Sequence, residues 1–293
     1  MFARDFAGYA NELPIVEWPG GARLALSISV NFEEGAERSV ADGDPESEQH
    51  GEAVIRTGPG VRNTMNESYY EYGSRVGIWR LLDVFDKHSV KVTFLACGLA
   101  LEKNPKAAAA ITHRGHEPCS HGYKWTDHCS LSVEEQRRDM LRSIEAIERT
   151  TGQRPVGWYP RAADVHSREL AVEEGGFLYD MITYNEDLPY FVQVKGKRFL
   201  TIPYSLDCND SRYWRGIVEP EQFLRYLKAT FDQLYEEAQQ HPKMMSVGLH
   251  CRSSGLPARA RAVDQFIGYA KQFPGVWFAR RVDIARWWIE KLG

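Results

Sequence analysis

What most constrains this chain is an alternation repeated along nearly its whole length. Short apolar runs of strand length are each followed by a segment with helical spacing. The first run, 22–32, sets Leu24, Leu26, Ile28 and Val30 alternately with smaller or polar residues, the period of a strand. Further strands are expected at 91–96, 117–120, 155–159, 177–180, 199–204, 244–250 and 276–278. Helices are expected at 105–113, 132–150, 167–174, 219–239, 257–271 and 282–290. Ser132 and Glu135 have capping-box spacing, and Gly152 closes the helix that they open. Val76, Trp79, Leu82 and Phe85 mark one more helix face, with Ser74 as its N-cap. Alternating βα units imply a parallel sheet, and seven or eight of them imply an α/β fold of the closed or nearly closed barrel type. A doubly wound open sheet is the alternative. It has no nucleotide-binding support, because no Gly-x-Gly-x-x-Gly follows the first strand and no Walker A loop occurs. The expected single domain (1–293) carries an N-terminal arm (about 1–20) and a long polar loop after the first strand (about 35–70).

Composition narrows the function. A net charge of −4 argues against a broad nucleic-acid-binding surface. No apolar run approaches the ~20 residues that span a bilayer. Residues 1–10 lack a basic stretch followed by an apolar one, and five scattered cysteines form no CxxC pair. Reduced thiols in a cytoplasmic protein are therefore expected.

In a parallel βα barrel, chemistry sits at the C-terminal ends of the strands. Those places read Asn31-Phe32-Glu33-Glu34-Gly35, Ser120-His121-Gly122-Tyr123-Lys124-Trp125, Gly157-Trp158-Tyr159-Pro160-Arg161 and Gly248-Leu249-His250-Cys251-Arg252. Together they supply two carboxylates, two histidines, two arginines and two tryptophans from distant segments. Cys251 adjoins His250 on a strand and should face the other way, which argues against a thiol nucleophile.

These segments resemble the polysaccharide deacetylase superfamily, whose fold is a distorted (β/α)7 barrel. Glu33-Glu34 matches its acidic pair, His121 with Trp125 its His-x3-His metal pair, 158–161 its Arg/Pro/aromatic loop, and Leu249-His250 its late Leu-x-His. Over nearly the whole chain the resemblance is closest to the metal-independent bacterial allantoinases of that superfamily. It is carried by 31–35, Tyr72-Gly73-Ser74-Arg75, 120–125, 152–159, 173–180, 187–190, 202–204 and 248–252. Two mouth loops depart from those allantoinases, 160–166 and 253–259. They bear on substrate choice.

The departure from the deacetylases has a physical meaning. An indole N–H is only a donor, so Trp125 offers a metal no lone pair. Glu34 and His121 alone make a poor zinc site; His128 is the one nearby rescue ligand. The expectation is a site with no metal and no cofactor. Glu33 or Glu34 serves as general base, its pKa raised by burial and by the neighbouring carboxylate. His250 protonates the leaving nitrogen, and His121 and Arg252 stabilise an oxyanion. Tyr123, Trp125, Trp158, Arg161, Asn209 and Arg252 are the expected substrate contacts. The implied activity is ring opening of a small cyclic amide, allantoin first among candidates, by a homo-oligomer that binds neither nucleic acid nor membrane. The rival readings are a metal-dependent N-deacetylase of N-acetylated sugars and a barrel that only binds a heterocycle.

Overall fold

The computed structural model describes residues 4–10, 12–52, 56–216 and 219–293. Residues 1–3 and 11 of the expected arm and 53–55 of the expected loop lie outside that set. The strands are β1 (Leu24–Phe32), β2 (Thr93–Ala96), β3 (Glu117–Ser120), β4 (Gly157–Trp158), β5 (Tyr179–Asp180), β6 (Tyr190–Val194), β7 (Lys197–Thr201), β8 (Lys243–His250) and β9 (Val276–Phe278). They form one curled sheet in the order β6-β7-β5-β4-β3-β2-β1-β8, with β9 paired to β1. Every pairing is parallel except β6 with β7. The ladder does not close between β8 and β6. An isolated bridge from Asn209 to Gly248 is the only pairing on that flank of β8 among the described residues.

The β1 pattern explains the curl. Leu24, Leu26, Ile28, Val30 and Phe32 face the helices and join the main apolar core. Small or polar residues on the opposite face, Ala25, Ser27, Ser29 and Asn31, point into a narrow interior. That interior also holds the guanidinium of Arg281. It donates to Ser29 Oγ (3.1 Å), to the carbonyls of Ile202 (3.0 Å) and Pro203 (3.1 Å), and to Ser246 Oγ. One buried side chain thus ties β1, β8 and the segment after β7 across the open flank. Trp18, Ile284, Ala285 and Trp288 close the bottom, so part of the expected arm is built into the barrel.

Two expectations are corrected. Ser74 is no N-cap: one continuous helix runs through it, capped by Asn63 and built from Thr64–Tyr72, a π-turn at Gly73–Gly77, and Ile78–Lys87. Strand β6 has no counterpart in the expected strands, whereas β7 overlaps the one expected at 199–204, and the two form a hairpin. Its turn residues Lys195 and Gly196 both have positive φ (50° and 77°), the geometry of a two-residue hairpin turn.

Candidate active site

Strand register builds the site. Phe32 pairs with Ala96, Ala96 with Ser120, and Ser120 with Trp158. The next residues, Glu33, His121 and Tyr159, therefore emerge at one level. On the other side of β1, Asn31 pairs with His250. His250 is the last residue of β8, and Arg252 sits in the short helix Cys251–Ser254 that follows.

Glu33 lies at the centre. Its Oε1 is 3.2 Å from His121 Nε2 and 3.6 Å from His250 Nε2; its Oε2 is 2.7 Å from Arg252 Nη1. Glu34 braces the cluster from behind. One oxygen accepts the Arg252 backbone N–H (3.0 Å) and lies 3.4 Å from Arg252 Nη1; the other accepts the Glu33 N–H (3.0 Å). His121 Nδ1 bonds the Tyr159 carbonyl, and the two rings stack at 5.1 Å. Glu33, Glu34, His121, His250 and Arg252 are all buried, none more than 6 % exposed.

The electrostatics divide the two glutamates. Burial works to raise Glu33, but Arg252, then His250 and His121, outweigh it and hold this carboxyl well below its usual range. For Glu34 burial wins, aided by the charge of Glu33, and its pKa is raised. The raised pKa expected of Glu33 or Glu34 is found at Glu34 and not at Glu33, because Arg252 is so close.

In sequence the run Ser205–Asp210 offers amide and carboxylate partners for ring N–H groups of a substrate; the structure puts Asp210 on His250 instead. Its Oδ1 lies 2.6 Å from His250 Nδ1, and its Oδ2 accepts the N–H of His250 (2.8 Å) and the hydroxyl (2.7 Å) and N–H (3.2 Å) of Ser254. The carboxylate thereby fixes the ring and turns Nε2 toward Glu33. Trp214 was missed. Its ring is 4.9 Å from that of His250, and its buried indole N–H has no partner. Neither residue carries a period or motif; the only signal is a polar run beginning at Ser205.

Several expected substrate contacts are engaged elsewhere. Trp158 is fully buried, packs on Phe177 and donates to the Ser167 carbonyl (3.2 Å); the helix–sheet interface uses it. Tyr123 turns outward, its hydroxyl on Glu102 (2.8 Å) and its ring under Arg142. The Asn209 amide donates to Tyr204 Oη (3.1 Å), and its oxygen accepts from Ser211 N–H. Arg161 binds Glu48 (2.9 Å), Asp127 (2.8 Å), His50 and the Trp125 carbonyl while lying 3.8 Å over the Trp125 ring. Trp125 itself stays beside the site, its ring 5.2 Å from the Arg252 guanidinium. Arg252 is stacked on Tyr70 (4.4 Å) and flanked by Trp214 (5.2 Å), yet its Nε and Nη2 have no hydrogen-bond acceptor. Cys251 is buried, and burial pushes its thiol pKa up. A groove of about 820 Å³ follows the open flank, lined by Tyr184, Tyr204 and Asp207; none of the five clustered groups lines it.

The donor set does not fit a metal ion. Glu34 has both oxygens on backbone N–H groups, Arg252 occupies the space beside both carboxylates, and Trp125 has nothing to give. His128 is bound to Asp139 (3.0 Å). Among the described residues, no three His, Cys, Asp or Glu groups are placed to hold a cation.

The fold and this cluster define a βα-barrel hydrolase of the deacetylase and amidohydrolase kind. Residues 66–174 match the polysaccharide deacetylase family. A Schizosaccharomyces pombe protein assigned to the polysaccharide deacetylases is 35 % identical over 98 % of this chain and 97 % of its own length. Two crystal structures superpose with a TM-score of 0.96: a Pseudomonas aeruginosa protein described as a polysaccharide deacetylase (47 % identity, 99 % of both chains) and PuuE allantoinase (45 %, 100 % and 99 %). The chain belongs to the polysaccharide deacetylase family. The expected superfamily and its curled barrel are both borne out.

Proposed function

We propose that this protein hydrolyses a carbon–nitrogen bond in a small cyclic amide, a hydantoin or imide, without a metal, with allantoin the leading single candidate. The observation that carries this reading is the Arg252 guanidinium, seated 2.7 Å from Glu33 and 3.4 Å from Glu34. A fixed cation already fills the region where a divalent ion would have to sit, and two cations there would repel. The likeness to PuuE allantoinase over the full chain supports the substrate class.

The residues divide the work as follows. Glu33, ionised, takes a proton from water as the water oxygen bonds to the ring carbonyl carbon. The developing oxyanion meets the unpartnered Nε and Nη2 of Arg252 and the imidazole of His121; one well-placed donor contributes ~3–4 kcal/mol. The C–N bond breaks as His250 Nε2 gives its proton to the leaving nitrogen. Glu33 then returns its proton to His250 across 3.6 Å. Glu34 positions Arg252. Ring ureides and imides suit this apparatus because their carbonyls are more electrophilic, and their nitrogens better leaving groups, than those of ordinary amides.

The rival is a metal-dependent N-deacetylase of N-acetylated sugars, favoured by the relatives' descriptions. Turnover of allantoin, hydantoin, dihydrouracil, succinimide and N-acetylglucosamine oligomers, followed by mass spectrometry with and without EDTA, separates the two. Ring opening that survives EDTA is expected. Deacetylation abolished by EDTA overturns the proposal. Among the described residues no helix is long and apolar enough to cross a membrane. We place the enzyme in the cytoplasm as a homo-oligomer; the exposed Phe6 and Ile15 of the arm offer it apolar surface.

A further inference from the structure

The π-turn Gly73–Gly77 is the one break in helical regularity between Thr64 and Lys87, and it lies against the catalytic cluster. Its defining bond runs from the Ile78 N–H to the Gly73 carbonyl. A Cβ on Gly73 would come within 2.6 Å of Glu34 Oε1 and 2.7 Å of the Arg252 backbone nitrogen. A Cβ on Gly77 would meet the Cys251 carbonyl oxygen at 2.1 Å, and one on Gly255 would meet Gly77 Cα at 2.4 Å. Both glycines have ordinary helical φ, so close approach is what requires them, and conformational freedom is not. One turn before this contact the same helix presents Tyr70, fully buried, with its ring 4.4 Å from the Arg252 guanidinium. A π-turn carries one residue more than an α-turn, and such turns recur at functional sites. Here the extra residue lets the helix meet the Cys251–Ser254 segment through Gly73 and Gly77 while still directing Tyr70 beneath Arg252.

We infer that this π-turn is a positioning device for the reaction: Gly73 holds Glu34 and the Arg252 backbone in register, and Tyr70 fixes the plane of the guanidinium. The inference rests on the proposed role of Arg252. Neither residue is catalytic; each acts through Arg252. A guanidinium buried among Tyr70, Trp125 and Trp214 loses its nearest aromatic face when Tyr70 is lost, leaving two carboxylates and the more distant tryptophans to orient it.

The test compares Tyr70→Leu, Tyr70→Phe and Gly73→Ala in the full chain, on whichever probe of the cyclic-amide panel the unaltered enzyme opens. Tyr70→Leu should lower kcat by about 10- to 100-fold with little change in KM, the scale expected for a misplaced catalytic group. Its acid limb should move to higher pH, because a loosened Arg252 no longer holds Glu33 down. Tyr70→Phe keeps the ring and should recover most of the rate. Gly73→Ala should reproduce the kcat loss; if it does not fold, the tyrosine pair still decides. An unchanged kcat and acid limb in folded Tyr70→Leu overturns the inference. So does a Tyr70→Phe variant as impaired as the leucine. An unaltered enzyme that opens no cyclic amide overturns the proposed function instead, so the two failures are distinguishable.

Discussion

Asp210 and His250 sit on different segments of the barrel mouth, yet their side chains meet at 2.6 Å, and the same carboxylate also accepts the backbone N–H of His250. The ring therefore cannot turn without breaking its bond to a carboxylate that the backbone N–H of the same residue holds in place. This bond sets which nitrogen faces Glu33.

Asp210→Asn should therefore damage catalysis far more than folding. An amide can still accept from the Ser254 hydroxyl, but it can orient the imidazole in the wrong tautomer. A loss of about 10²–10⁴ in kcat is expected, on the scale of carboxylates that orient a catalytic histidine. Steady-state kinetics beside a melting curve checks it. A kcat within threefold of the unaltered enzyme would remove Asp210 from the mechanism.

Arg252 should control the acid side of the pH profile. It is the strongest of the influences that lower the Glu33 pKa, and burial alone drives the group upward. With Arg252 present, Glu33 stays ionised far into acid. Arg252→Met leaves burial dominant, so the acid limb of kcat/KM should move to higher pH and the maximal rate should fall about 100-fold or more. Arg252→Lys keeps the charge and loses the planar fork, so it should restore the limb more than the rate. Coincident acid limbs in all three proteins would mean that another group titrates.

Much of this arrangement was legible in the sequence, and the reason is periodicity. β1, β2, β3, β8 and β9 lie within two residues of their expected positions, β1 most clearly because Leu24, Leu26, Ile28 and Val30 alternate with smaller or polar residues. Glu33, Glu34, His121, His250 and Arg252 could be picked out because strand ends define the mouth. What lay hidden has no period. Asp210 and Trp214 come from a short 3-10 helix, Asp210–Arg215, whose six residues show no apolar period. Trp158 reads equally well as a core or a mouth residue, since a two-residue strand does not say which face each side chain takes. The π-turn looks like ordinary helix in sequence; only contact with Arg252 shows why Gly73 and Gly77 are there.

The long loop after β1 is tied to two other segments. Glu48 is buried against Arg161, and Glu52 pairs with Arg259. Burial works to raise the Glu48 pKa, but His50 and Arg161 hold it well below the usual carboxylate range. Arg161→Gln leaves that buried charge short of its main cation. A stability loss of about 1–3 kcal/mol is expected, together with a higher KM as the roof over Trp125 loosens. Thermal melting and substrate titration measure the two effects. An unchanged KM in a destabilised variant would make the pair purely structural.

Glu37 should give stability an opposite pH dependence. Burial pushes its carboxyl up to about 7 from an ordinary value of 4.5, although the N–H groups of Glu37 and Gly35 pull it down. The folded protein then binds this proton more tightly than the unfolded chain does. Its contribution is fully present below about 4.5, is lost as pH rises through 7, and stays lost above. Glu37→Gln keeps an acceptor for the Gly35 N–H and removes the titration. The variant should gain about 2–3 kcal/mol relative to the unaltered protein between pH 4.5 and pH 8, a rise of roughly 5 °C in relative melting temperature. Melting curves of both proteins across that range are the check. A difference that does not change with pH would show that Glu37 is ionised in the folded state throughout.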